Sequence, residues 1–421
     1  MSGLSGHDIR SSNHLSIGRS NLPVVFLVCV LAVAAACRTG ASNPETPAVA
    51  PPTGFGERLD AALPHLLGEF GVEGAAVGLV ESGDVALLAG YGLADAGQAS
   101  LMTPDHVFNA ASISKLITAW GVMQLAEDGA LSLDNGVNEY LERWKLPDGV
   151  GPARDVTIRR LLSHTAGISM PSVPAFRYPA PVPSLVDIAR GHYSDSVYAR
   201  AGTAVEIVQP PAAGFAYSGG GYVLLQLAIE DVTGRDFADF MAEEVLEPAG
   251  MTASRYGWTE RLAASMATPY LRSGREEDIF RFSALAGSAL HTSARDLTEF
   301  LRAVFTTAQG GGAALLSAES LATLVSAVAE TGYRERELGW MALGHFVEPN
   351  AAGAVAAISH SGDNAGWSSR LMLDPERGNG LVVLTNSDDG GELVRRLSCL
   401  WLAAYKSVAA LQGCPDGKNL P

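Results

Sequence analysis

With 421 residues the chain has room for one large domain or two smaller ones, and a hydrophobic content of 47% is ample for a packed core. Its 45 acidic residues against 29 basic ones give a formal net charge of -16, with no basic cluster to offset it, which argues against a nucleic-acid partner.

The chain opens on an export signal, read over residues 1–37. Residues 1–23 are mostly polar, with Arg10 and Arg19, and Val24–Ala36 is an apolar run of thirteen, short for a bilayer span. Ala34-Ala35-Ala36-Cys37 then places small residues before a cysteine, as in a bacterial lipobox. Lipid on Cys37 would be the only link to a membrane, and the protein would be exported to the periplasm or cell envelope; ordinary cleavage after Ala36 is the alternative. Thr39–Thr53, rich in Ala, Pro and Thr, reads as a flexible linker within 38–54, ahead of a folded domain over 55–410 and a tail over 411–421. Cys29 would leave with the signal, so Cys399 and Cys414 remain, and one disulfide or two free thiols fit equally.

Leu59, Leu63, Leu66, Leu67 and Phe70 predict a first helix beginning near Gly54. Gly74–Val80 and Val85–Leu93 read as a hairpin turning at Glu81-Ser82-Gly83-Asp84. Gly90-Tyr91-Gly92 lacks the final glycine and the following helix of a dinucleotide loop and is set aside.

The next helix is predicted from Ser112 to about Asp128, capped by Gly129, with Leu116, Ala119, Trp120, Met123 and Ala126 on a wide apolar face. It begins Ser112-x-x-Lys115, a spacing that puts both side chains on one face, a turn apart. A serine hydroxyl is a poor nucleophile, and a lysine whose pKa is lowered by burial can take its proton. The helix start also leaves backbone N–H groups unpaired close to where an acyl oxyanion would form. Lys115 is one of only four lysines, with Lys145, Lys406 and Lys418, in a chain that otherwise uses arginine; a group able to lose its proton is the reason to choose it.

Val156–Ile168 predicts a short helix entering a loop in which His164 buttresses by hydrogen bonds. Residues 169–215 carry seven prolines and read as one long irregular stretch, either a substrate-selecting wall or a solvated connector. Tyr217 stands on a turn before Gly219-Gly220-Gly221 and a helix ending at Gly234; it is a packing residue or, with a cation nearby, a proton carrier. Ser293 and Asp296 start another amphipathic helix. The last third turns to strands over Leu338–Phe346, Val355–Ser361, Ser369–Leu373 and Leu381–Thr385, closed by a helix through Leu393 and Trp401. Strands at both ends give an α/β (α+β) fold, an antiparallel sheet built from both chain ends with a mostly helical insert at about 131–330.

Ser112-x-x-Lys115, Tyr217-Ser218-Gly219 and His360-Ser361-Gly362 resemble, in order and type, the three motifs of the serine β-lactamase and penicillin-recognising enzyme superfamily. The phrases Leu161–Ile168, Leu246–Thr252 and His360–Trp367 extend the resemblance, which spans about 55–405 and points to the branch of class C β-lactamases, related esterases and D-amino-acid-specific peptidases. The resemblance implies Ser112 as acylated nucleophile, Lys115 as its proton acceptor or electrostatic activator, and Tyr217 as proton shuttle. It puts His360 in the place of the third motif's cation, with Gly362 letting substrate lie along the strand and the N–H groups of Ser112 and Asp363 forming the oxyanion hole.

Two departures bear on substrate. Gly219 stands where many relatives have asparagine, and His360 where many β-lactamases have lysine, and both tilt toward an ester or neutral acyl group over a classical penicillin. The function expected is a serine acyl hydrolase acting on an ester, β-lactam or D-aminoacyl substrate without metal or cofactor; the alternative is a non-catalytic sensor or scaffold lipoprotein. No Gly-x-Ser-x-Gly elbow and no His-x-x-x-His cluster points to other hydrolase chemistries.

Overall fold

The computed structural model describes residues 54–405 except Gly312 and Ala313, together with Gln412 and Cys414. The stretches read as an export signal ending at Cys37 and as a linker before Gly54, and most of the tail, lie outside the described residues.

Among the described residues the frame is a nine-stranded antiparallel sheet. Its strands are β1 (Gly74–Glu81), β2 (Asp84–Asp95), β3 (Ser100–Leu101), β4 (Ala329–Glu330), β5 (Trp340–Met341), β6 (Phe346–Pro349), β7 (Val355–Asn364), β8 (Trp367–Asp374) and β9 (Asn379–Thr385). Their spatial order is β3-β2-β1-β9-β8-β7-β6-β5-β4. The first strand therefore pairs with the last, from Ala75 opposite Thr385 to Val80 opposite Gly380, and the sheet is built from both chain ends as the sequence suggests. Between β1 and β2 the turn residues Ser82 and Gly83 have φ of 53° and 87°, the left-handed pair that suits a two-residue hairpin turn.

Strand alternation divides the core into two layers. Ala75, Val77, Leu79, Met372, Leu381 and Val383 pack with α1 (Phe55–Phe70) and the last helix, Gly390–Tyr405. Ala76, Val80, Leu371, Leu373, Val382 and Leu384 face the opposite layer, which holds α2 (Ile113–Glu127) and the helix Ala294–Ala308. That second helix crosses β1 closely enough that a Cβ on Gly78 would run into Thr298. The helices between these ends include α3 (Ile158–Leu162), α4 (Leu185–Arg190) and α5 (Gly219–Thr233).

Three expectations change. Residues 169–215 are not irregular throughout: α4 starts at Ser184, whose Oγ accepts the Asp187 N–H, and Phe176–Arg177 pairs with Phe280–Arg281. Leu338–Phe346 is not one strand but β5 and the start of β6 around a turn at Ala342–His345, where Ala342 N–H reaches His345 O at 2.8 Å and Gly344 has φ 76°. The turn is forced by packing: a Cβ on Gly344 would stand 3.1 Å from Lys115 O in α2. Finally, α2 has no single apolar face, since every residue from Ile113 to Met123 is buried. Cys399 and Cys414 form a disulfide, which resolves the pairing left open by the sequence.

At the centre of the second layer, Trp120 meets Phe300 edge-on at 5.5 Å and donates its indole N–H to His345 Nε2 at 3.2 Å. The other imidazole nitrogen lies 2.6 Å from Leu343 O, so the ring joins α2 to the β5–β6 turn. Trp120→Phe leaves a buried nitrogen without its donor and is expected to lower unfolding stability by about 1–3 kcal/mol, read as a shifted urea midpoint at unchanged slope.

Candidate active site

The entry to α2 is a constrained turn. Ala111 holds a φ of 46°, and its N–H is fixed by Asn109 Oδ1 at 2.9 Å. The same Oδ1 accepts the Asn364 side-chain amide at 2.7 Å, tying the turn to the end of β7. Ser114 Oγ lies 2.5 Å from Ala111 O and accepts the Leu290 N–H at 2.9 Å. Ser112, at the N-cap, makes no capping bond with its own side chain and stays partly exposed. A nucleophile would be free to point outward from such a strained turn.

One turn on, Lys115 is only 2% exposed. Its Nζ lies 3.2 Å from Ser112 Oγ and 2.7 Å from Gly287 O, and among the described residues no carboxylate forms an ion pair with it. Burial without a compensating anion lowers its pKa from 10.5 to about 7. The amine stands 5.0 Å from the centre of the Tyr217 ring and 5.5 Å from that of Tyr222. Tyr217 interacts with the Ser112 side chain, which by itself would lower the phenol pKa, but burial dominates and raises it. The phenol is therefore protonated at neutral pH.

The strand beside Ser112 is the second half of β7. Strand β6 stops at Phe346, opposite Ser359, so among the described residues the outer edge from His360 to Asn364 has no strand beyond it. There Glu337, buried, accepts the Ser361 N–H at 2.9 Å through Oε1 and pairs with Arg370 at 2.9 Å through Oε2. N–H groups two apart on a strand point the same way. Asp363 N–H consequently points out of this open edge. A Cβ on Gly362 would stand 2.9 Å from Ser112 N and 2.6 Å from Ser369 Oγ, so only glycine lets strand and helix start approach this closely. The Asp363 carboxylate turns to Arg336 at 3.1 Å.

His360 departs from the role implied for it. Its ring is 1% exposed, with Nδ1 2.6 Å from Ser361 O, the geometry of a protonated Nδ1 donating to a carbonyl. Burial first, then Lys115, lowers its pKa to about 3, so it is a neutral ring and not a cation. A cleft of about 710 Å³ adjoins the strand, walled by Ser361, Asp363, Arg336, Arg370, Asp388 and Glu392, but Ser112, Lys115 and Tyr217 are not among its walls.

The structure brings Ser112, Lys115, Tyr217, His360 and Gly362 together. Glu337, Asn109 and the Gly287 carbonyl escaped the sequence reading because each comes from a loop or a two-residue strand without periodic pattern. No group of three or more His, Cys, Asp or Glu among the described residues could hold a metal ion.

The chain matches the Beta-lactamase family over residues 59–404. It is 30% identical to Penicillin-binding protein 4 of Amycolatopsis lactamdurans over 341 residues, 78% of this chain and 84% of that one. Protein flp of Staphylococcus aureus (strain COL) is 25% identical over 334 residues, which cover 78% of this chain but only 63% of that longer protein. Among solved structures, SurE is similar with a TM-score of 0.66 at 26% identity, covering 86% of this chain and 79% of that one. The octameric penicillin-binding protein homologue from Pyrococcus abyssi shares the fold with a TM-score of 0.63 at 24% identity, covering 79% and 74%. With the family matched over most of its length and the three motifs gathered around one helix start, the chain belongs to the β-lactamase family.

Proposed function

We propose that this chain is a serine acyl hydrolase working through an acyl-enzyme on Ser112. The observation that carries the reading is the buried Lys115 amine, unpaired with any carboxylate among the described residues and 3.2 Å from the Ser112 hydroxyl. In its neutral form Lys115 takes the hydroxyl proton as Ser112 Oγ attacks the acyl carbon. The N–H groups of Ser112 and Asp363 receive the oxyanion. Tyr217, a phenol at working pH, gives its proton to the leaving group and is reprotonated from the Lys115 ammonium, so the base is restored. Water then attacks the acyl-enzyme with the same groups acting in reverse.

Two features favour an ester or other neutral acyl substrate. A Cβ on Gly219 would stand 3.0 Å from Val173 Cγ1 and 3.1 Å from Val173 N, so a side chain there to bind an acylamide would need Val173 to give way. The neutral His360 supplies no fixed charge for a substrate carboxylate. Structures that share the fold include a D-amino acid amidase from Ochrobactrum anthropi and a Beta-lactamase/D-alanine Carboxypeptidase from Yersinia pestis, which supports acyl hydrolysis more broadly.

Ser112→Ala is expected to abolish both turnover of a short p-nitrophenyl ester and covalent labelling by a serine-directed acylating probe; undiminished turnover would falsify the assignment. For the unaltered protein kcat/KM on the ester should rise with pH through an apparent pKa near 7, as Lys115 loses its proton. Lys115→Met is expected to lower kcat by at least about 100-fold while raising the melting temperature at pH 6, where the native protein still buries the charge. A melting temperature unchanged or lowered at pH 6 would contradict the desolvated amine.

A further inference from the structure

The loop after α3 brings a second buried ring against Tyr217. His164 is 2% exposed and holds a left-handed φ of 55°. From that conformation it reaches the segment of Tyr217 twice: its carbonyl accepts the Ala216 N–H at 2.7 Å, and its Nδ1 accepts the Ser218 N–H at 3.1 Å. Its ring lies over the tyrosine with centroids 4.3 Å apart and planes 37° from each other. The residues on both sides of Tyr217 thus hang on one side chain and its own carbonyl.

The chemistry of the ring excludes a base. An imidazole that accepts at Nδ1 carries its proton at Nε2. Here Nε2 is buried without a partner, and the ring's single lone pair is spent on Ser218. Burial first, then Lys115, holds it neutral, well below the ordinary histidine range.

We propose that His164 is a positioning residue that sets the Tyr217 phenol on Ser112 by fixing the amides before and after it and covering its ring. The proposal rests on the proton-donating role given to Tyr217 above. From this left-handed conformation both the carbonyl and the ring of residue 164 reach the same three residues, 216 to 218. Asparagine is the substitute that tolerates this φ and carries an acceptor at the same reach as Nδ1.

The test compares His164→Ala, His164→Leu and His164→Asn on the p-nitrophenyl ester, with folding followed by circular dichroism. Alanine and leucine, which lack the acceptor, are expected to lower kcat by about 30- to 100-fold with KM within about threefold of the unaltered protein. The rate of covalent labelling of Ser112 should fall in proportion, and asparagine should recover most of the loss. The limb near pH 7 should persist in every variant. Leucine, which fills the space, supplies the reading if the alanine variant does not fold.

Undiminished kcat in the folded alanine or leucine variant overturns the proposal. So does equal loss in all three variants with disappearance of the limb near pH 7 in the asparagine variant, which would make His164 the base. Tyr217→Phe separates this proposal from the reading beneath it. If Tyr217→Phe keeps full activity, the role of Tyr217 fails; if it is inactive while His164→Leu is not impaired, the positioning role alone fails. In the Tyr217→Phe background, His164→Leu is expected to cost no more than about twofold further.

Discussion

Everything in this site depends on keeping one lysine out of water without giving it an anion. Lys115 enters a helix buried on all sides, meets the Gly287 carbonyl and the faces of two tyrosines, and stands within hydrogen-bond reach of the serine hydroxyl. A carboxylate in that position would stabilise the ammonium and remove its capacity as a base. Below about pH 7 the amine is charged in both the folded and the unfolded chain, so folding bears the whole desolvation penalty. Between there and pH 10.5, the ordinary lysine value, only the unfolded chain holds the proton and the penalty fades as pH rises. The fold carries this burden through apolar contacts around Trp120 and Phe300 and through the two-layer sheet, features that no part of the chemistry uses directly.

The same shortage of charge extends along the open strand. His360 is neutral because it is packed against Phe346 and close to Lys115, so the position that would present a cation presents an unprotonated ring nitrogen instead. Glu337 and Arg370 neutralise each other beneath it and hold the strand edge where β6 gives out. Charges do gather in the adjoining cleft, but they come in opposing pairs such as Arg336 with Asp363 and Arg395 with Glu392. What is left for recognition near Ser112 is backbone N–H, hydroxyl and apolar wall.

Much of this was legible from residue order alone. Helix α1, the first hairpin and the Ser293–Asp296 helix start rest on local patterns and turn chemistry, and they stand as those patterns imply. The proximity of Ser112 and Lys115 follows from helical spacing. Their approach to Tyr217 and His360 was carried by the resemblance, because no local pattern relates residues so far apart. What stayed hidden was set by packing. The charge state of His360 and the protonation of Tyr217 depend on burial, which periodicity does not report. Helix α4 is six residues long and lies among prolines, too short for a period to declare itself. The break between β5 and β6 answers to the back of α2, more than two hundred residues away in the chain.

The pairing of β1 with β9 has a further consequence for how the protein is made. A polypeptide growing from its N-terminus would display β1 and β2 long before β9 exists, and for all that time the inner edge of the hairpin would have no neighbour to cover it. Ser112 and Lys115 are synthesised early as well, yet Gly362 arrives some 250 positions later. Nascent chains released short of β7 should hold Ser112 and Lys115 without the strand that lies beside them. Completion of the site beside Ser112 and completion of the sheet would then both come late, in folding dominated by distant contacts.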